Sequence, residues 1–344
     1  MTRRSFACAL AALTLAGAAP RAFAWNFEGH MLIGEIAWQQ LDAADRAAIT
    51  KLLKAHPHYA LYLTKGDPTA GPAQDEYVFV KAATWPDAVR PSTPPYKPLI
   101  IDPVDEKNVT QYHHGEWHYI NIAFVPPGDP NANLNFKAIN AEKGDVLSTI
   151  RDASKQLATP AAAAAQAKAI DIAWIAHAIG DLHQPLHAVT LISTAFPPPD
   201  GDRGGNSISV SPPTPPGGRA TVQKLHALWD GALGNVVMDN FSVDNLPDIQ
   251  KRAKEIVAKY PAAKEPVLKT HEKIEDWAQE SYELARKDVY LNGDILKLPE
   301  HNKIVELPAS YLPQAQKDSE ERAALAGYRL ASTLHAALKN GGSK

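Results

Sequence analysis

The chain has 344 residues, 35 basic and 38 acidic side chains, a formal charge of −3 at pH 7 and a single cysteine, Cys8. A mildly acidic protein has no general basic face for nucleic acid, so any handling of phosphate requires positive charge placed locally. One cysteine excludes a disulfide framework and thiolate metal sites, and the length is ample for a large hydrophobic core.

Residues 1–24 begin with Arg3 and Arg4, continue as an apolar run from Phe6 to Ala19, and end in Ala22-Phe23-Ala24, a small-x-small cleavage signal. This pattern predicts a signal peptide cut after Ala24. Thr2-Arg3-Arg4-Ser5-Phe6 also resembles a twin-arginine export signal. The apolar run is too short to span a bilayer, and no later stretch is apolar enough to do so. The expectation is an exported protein, periplasmic or secreted, with no membrane association and no stable protein partner. Loss of the leader removes three arginines and no acid, which takes the charge from −3 to −6.

The remaining residues, 25–344, read as one mostly helical domain. Residues 28–55 carry apolar side chains at helical spacing: Leu32, Ile33, Ile36, Ala37, Leu41, Ile49, Leu52 and Leu53. Helices are also expected over 136–157, 221–236, 247–259, 265–290 and 313–339. The strongest is expected to start at Thr159-Pro160, run through Trp174 to about Leu182, and stop before Pro185. Strand signal is confined to 116–124 and 206–211, enough for a small β-hairpin. Residues 86–104 and 197–218 are rich in proline and glycine and read as long surface loops. No internal repeat is present.

The chemistry-bearing residues fall into pairs. His177 and Asp181 are four apart on the strong helix and share a face. His187 follows Pro185, and His183 lies between them with an ambiguous role. His226 and Asp230 repeat the four-residue spacing. Upstream stand Asp87, in Trp85-Pro86-Asp87, and His118, in Trp117-His118-Tyr119. Cleavage after Ala24 would free the α-amine of Trp25, five residues before His30, so that amine, carbonyl and imidazole together offer metal ligands. Each pair alone reads as a surface ion pair or cap. Together they lie in apolar helices beside Trp174 and Trp229, where unpaired charge is costly and a cation compensates it. Histidine and carboxylate side chains on facing helices build multi-metal sites in bundle cores, and this donor set suits zinc. The other histidines have no such company.

Trp25 with His30, Trp85-x-Asp87, His118-Tyr119, His177-x3-Asp181-x5-His187, Gly204-Gly205-Asn206 and His226-x3-Asp230 resemble the trinuclear-zinc nucleases of the S-one/P-one type, in order and spacing, to about residue 290. Trp277-Ala278-x-Glu280-Ser281 and Ala326-Gly327-x-Arg329 resemble that family's C-terminal helices. The resemblance implies an all-α fold of the phospholipase C/P-one nuclease type. It implies hydrolysis of phosphodiester bonds in single-stranded DNA and RNA to 5′-phosphate products, with 3′-nucleotides as further substrates. It also implies three zinc ions: one held by Asp87, His118, His177 and Asp181, a second by His187, His226 and Asp230, and a third by Trp25, His30 and the shared Asp181. Asp87 and Asp181 take catalytic roles in this reading and Arg90 meets phosphate. Tyr119, Asn121, Gly204 and Asn206 contact the base. The chain departs from the fungal pattern at Asn121, where an acid stands, and in lacking the family's usual disulfides. The related zinc phospholipase C is the alternative, but its first histidine lies further from the N-terminus and its last ligand is a glutamate.

Overall fold

A computed structural model describes residues 25–65, 71–91, 100, 107–133, 144–160, 165–213, 221–234 and 242–341. The leader and its cleavage site lie outside these residues. Twelve α-helices are described: α1 (Phe27–Gln40), α2 (Ala43–Leu53), α3 (Pro72–Ala82), α4 (Trp85–Ala88), α5 (Lys107–Thr110), α6 (Val146–Leu157), α7 (Ala165–His183), α8 (Leu225–Asp230), α9 (Leu246–Lys259), α10 (Val267–Thr270), α11 (Ile274–Leu284) and α12 (Tyr311–Gly341). The fold is mostly helical, as the sequence predicts. No described helix is long and apolar enough to cross a membrane.

Helix α1 is buried from Phe27 to Trp38 and packs against α3, α7, α9 and α12. A helix covered on every side needs apolar residues all round rather than one stripe. The apolar run over 28–55 is two helices, not one. The chain turns extended at Leu41, and the Asp42 side chain accepts from Asp45 N to start α2. Helix α12 approaches α1 closely because Gly327 has no side chain: a Cβ there would lie 2.3 Å from Ile36 Cγ2. Helix α7 is buried from Ile172 to His183 and packs on α1, α2, α6 and α12.

Several boundaries differ from expectation. The Thr159 hydroxyl donates back to Lys155 O in the last turn of α6. Residues 161–164 and 134–143 lie outside the described residues, and α6 starts from a capping box formed by Asp145 and Ser148. The end of α7 agrees with expectation: the helix stops at His183, and Pro185 opens a 3-10 turn, Pro185–His187. Among the described residues of 221–236, only Leu225–Asp230 is helical. The stretch 265–290 divides into α10, α11 and a π-turn, Ala285–Val289.

The β-structure is short. β1 (Ile122–Phe124) pairs in parallel with β2 (Val189–Leu191). This ladder fastens the segment after His118 to the segment after His187. A second sheet has the order β4-β3-β6-β5, from β3 (Ser209–Ser211), β4 (Gln223–Lys224), β5 (Glu300–His301) and β6 (Ile304–Glu306). The expected strand over 116–124 is mostly not strand: Gly115–His118 is a 3-10 turn. The hairpin falls at β5–β6 instead.

Candidate metal centre

Trp25 is fully buried, and three contacts of its neighbour, Asn26, fix the start of α1. The Asn26 side chain accepts from Gly29 N at 3.1 Å and caps α1. Asn26 N donates to Asp230 O at 3.1 Å, and its amide donates to Gly234 O. The start of α1 is thus fastened to the end of α8. Gly29 leaves room for the fold-back, since a Cβ there would lie 2.7 Å from Trp25 Cβ. One turn on, His30 faces α7 at Gly180, where a Cβ would lie 2.9 Å from His30 Nδ1. Its ring stacks on His177 with centroids 3.9 Å apart.

Asp181 divides its two oxygens. Oδ1 lies 3.3 Å from His30 Nε2. Oδ2 lies 2.9 Å from His118 Nδ1 and 3.2 Å from His177 Nε2. Asp87, on α4, brings Oδ1 within 3.8 Å of His177 Nε2 and 3.9 Å of His118 Nδ1. Helix α4 is anchored by Trp85, whose Nε1 donates to His58 Nδ1 at 2.8 Å. Arg90, three residues on, sets its guanidinium 2.6 Å from Asp87 Oδ1. Across the cleft, His187 and His226 stand with ring centroids 5.0 Å apart, and His226 Nε2 lies 3.6 Å from Asp230 Oδ1.

Backbone carbonyls fix the imidazole tautomers. His177, His187 and His226 donate from Nδ1 to Ala83 O (2.8 Å), His118 O (2.6 Å) and Gly204 O (2.6 Å). A carbonyl only accepts, so each Nδ1 carries the proton and each Nε2 presents a lone pair. Such outer hydrogen bonds typically accompany metal-bound histidine.

The buried donors form three groups whose ligand atoms lie within 4.8 Å of one another: His30–His177–Asp181, Asp87–His118–His177 and His187–His226–Asp230. Within them, both ring nitrogens of His30, Nε2 of His118 and His187, and single oxygens of Asp87, Asp181 and Asp230 are buried without a hydrogen-bond partner. Unsatisfied groups gathered at one place are costly, and a cation satisfies imidazole lone pairs and carboxylates together. Burial lowers the His177 imidazole, but the charges of Asp181 and Asp87 outweigh it and raise that group; the other groups lean toward neutrality. Burial, then neighbouring imidazoles, holds His30 and His118 well below the ordinary histidine range. Burial pushes Asp181 up to about 7 and Asp230 well above the carboxylate range. Neutral imidazole is the ligand form, and a dication beside these carboxylates restores their charge. The donor set therefore fits bound metal.

The structure brings all the sequence-selected ligand side chains into this one region, with Trp25 at its edge. A cleft of about 740 Å³ is lined by Arg90, Tyr119, Asn121, Gly204 and Asn206, the five residues selected for substrate, together with His118, His187 and His226. His183 points away from it. Its Nδ1 donates to Ile179 O at 2.7 Å, and its Nε2 accepts from Arg329 at 2.8 Å. A fourth group, Asp42, Asp45 and His335, lies at the surface. There Asp42 caps α2, and His335 pairs with Asp45 at 2.7 Å.

Two positioning residues escape a reading of the sequence. Gln184 donates from Nε2 to Asp230 Oδ1 at 2.7 Å and accepts from Leu186 N at 2.6 Å. It aims a ligand carboxylate and caps the turn that carries His187. Asp202 is buried and accepts from Leu191 N and Gly205 N, both at 2.8 Å, and from the Tyr290 hydroxyl at 2.7 Å. It shapes the loop whose Gly204 carbonyl orients His226. An acid among glycines, Gly201-Asp202-Arg203-Gly204-Gly205, is its only sequence signal.

The chain is thus a mostly helical protein that gathers buried histidine and aspartate donors able to hold metal at a polar cleft. The S1/P1 Nuclease family model matches residues 25–339, and the chain belongs to that family. It is also 27% identical over 224 residues to Endonuclease 2 of Arabidopsis thaliana, covering 62% of this chain and 57% of that protein.

Proposed function

We propose that this chain is a zinc-dependent nuclease. It hydrolyses phosphodiester bonds of single-stranded DNA and RNA to 5′-phosphate products and releases phosphate from 3′-nucleotides. Family membership supports phosphodiester hydrolysis. The observation that carries the metal-dependent reading is Asp181, set between His30 on one oxygen and His118 with His177 on the other.

In this reading Asp87, His118, His177 and Asp181 hold one zinc, His187, His226 and Asp230 a second, and Trp25, His30 and Asp181 a third. When bound, zinc supplies Lewis-acid charge and acidifies water near neutral pH. The chain's own residues do the rest. Ala83 O, His118 O and Gly204 O hold three imidazoles in their ligand tautomer. Arg90, about 30% exposed and paired with Asp87, meets the scissile phosphate through its guanidinium, a planar fork that suits two oxygens. Tyr119 offers a ring for base stacking, which tolerates any base. Asn121 and Asn206 offer amides that both donate and accept at a base edge. Unpaired bases expose these faces, which favours single strands. Residues 1–24 act as an export leader in this account, placing the protein in the periplasm or outside the cell.

Digestion assays with single-stranded DNA, RNA, duplex DNA, a nucleoside 3′-phosphate and lecithin test the reading. The expected result is release of 5′-nucleotides from single strands and of phosphate from the 3′-nucleotide. Both should be lost with a chelator and restored by zinc. Phosphocholine release from lecithin without nucleotide release would overturn it in favour of a phospholipase.

A further inference from the structure

Two cations with no role in the proposed metal chemistry stand on the wall of the cleft. Arg203 and Lys224 line it alongside Arg90, and among the described residues Asp200 is the one carboxylate in the same lining. The chain as a whole has more acids than bases. This local cation excess therefore runs against the average charge of the molecule.

Arg203 is held by the loop rather than left to hang from it. Its backbone is left-handed, φ 59°, a sparsely populated region for a residue with a Cβ. Asp202, immediately before it, fixes the turn through Leu191 N, Gly205 N and Tyr290. The Arg203 carbonyl accepts from Asn206 N at 3.3 Å and from its side-chain amide at 3.0 Å. One short loop thus delivers a guanidinium and a base-edge amide to the same wall. The charge of Arg203 also reaches Tyr119: burial raises that phenol, and Arg203 opposes the rise. Lys224 stands on β4, opposite Ser209 of β3. Its Nζ donates to Ser209 Oγ at 3.1 Å, a neutral partner that positions the ammonium without cancelling its charge.

The cleft has room for more than the scissile phosphate. Its volume of about 740 Å³ falls in the upper part of the roughly 300–1,000 Å³ range for pockets that take a whole drug-sized ligand. Arg90 lies beside the metal donors at Asp87, whereas Arg203 belongs to the loop bearing Asn206 and Lys224 to β4, the strand paired with Ser209 of β3. We propose that Arg203 and Lys224 form a second phosphate subsite, which holds a phosphodiester next to the one being cut and so favours polynucleotide chains over mononucleotides. This rests on the nuclease reading and names the substrate class within it. A guanidinium and an ammonium suit a backbone phosphate irrespective of sequence.

The test measures binding apart from turnover. Zinc-loaded wild-type protein and an Arg203→Gln/Lys224→Gln variant are titrated with a fluorescent single-stranded phosphorothioate oligonucleotide at several salt concentrations. The variant should bind more weakly, with a slope of log affinity against log salt shallower by about 1.4, from two contacts at about 0.7 each. Its kcat/KM should fall more for an oligonucleotide than for a nucleoside 3′-phosphate. Arg203→Lys with Lys224→Arg, which keeps both charges, should recover most of the slope. If the double variant does not fold, Arg203→Gln alone, at an exposed side chain, should lower the slope by about 0.7. Unchanged affinity and slope in a folded variant overturn the subsite, even if the wild type cleaves single strands. A wild type that cleaves no nucleic acid overturns the nuclease reading instead, and the binding titration still decides the subsite.

Discussion

Asp181 Oδ1 lies 3.3 Å from His30 Nε2, across the contact between α7 and α1. The approach depends on Gly180, the residue before Asp181, because a Cβ there would sit 2.9 Å from His30 Nδ1. His30 has little room to yield, since its ring is already stacked on His177 at 3.9 Å. Gly180→Ala should cost about 1–3 kcal/mol of stability, as overpacking does, and should lower zinc content through the His30 group. Urea unfolding and metal analysis check this. A variant with wild-type stability and full zinc content would show that the two helices do not set this distance.

Gln184 touches no proposed substrate position, yet it holds Asp230 Oδ1 at 2.7 Å. Gln184→Ala should weaken zinc binding or activity by about 10–100-fold, the usual cost of losing an outer-shell partner of a metal ligand. The metal affected should be the one at His187, His226 and Asp230. Zinc titration of the variant against wild type reads the loss directly, and equal affinity would remove Gln184 from the centre.

Trp25 is assigned a ligand role through its α-amine, which a peptide bond to Ala24 would occupy. A chain beginning at Trp25 should therefore bind one more zinc than a chain beginning at Ala22. Full activity and equal zinc in the extended protein would exclude the amine as a ligand and leave Trp25 a packing role.

A second buried network ties the metal-bearing helix to the C-terminal helices. Glu280 accepts from Arg322 at 2.6 Å and from Arg329 at 2.7 and 2.8 Å, while Arg329 also donates to His183. Burial alone raises the Glu280 carboxyl, but the hydrogen bond from Arg329 and the charges of Arg322 and Arg329 outweigh it and hold the group at about 2. Folded protein then binds fewer protons here than unfolded chain as pH falls from the ordinary 4.5 toward 2. Glu280 should contribute stability that is present above about pH 4.5 and lost on descent through that window. Glu280→Gln should unfold more readily at pH 6 and show a flatter pH dependence below 4.5. Parallel slopes for the two proteins in denaturant titrations would contradict the assignment.

The ligand set was legible because its spacing is local. Two His–x3–Asp pairs on apolar helices announce one face each, and His187 after Pro185 announces a turn. Gln184 and Asp202 were not legible. Their significance lies in partners 46 and 88 residues away, Asp230 and Tyr290, and no periodicity encodes that. The strands were poorly legible because each spans two or three residues, too few for alternation to show. The break between α1 and α2 was marked only by Asp42, whose capping role is hidden inside a continuous apolar pattern. Arg203 and Lys224 belong to no motif of their own, standing beside the stronger signals of Gly204-Gly205-Asn206 and His226.

The central claim is that three donor groups, two of them sharing Asp181, hold three zinc ions. Zinc per chain, measured by atomic emission on gel-filtered wild-type protein beginning at Trp25 and on its Asp181→Asn variant, tests it most directly. The account predicts three in the wild type. It predicts about one in the variant, retained at His187, His226 and Asp230. Three in both proteins, or fewer than three in a fully active wild type, would contradict it.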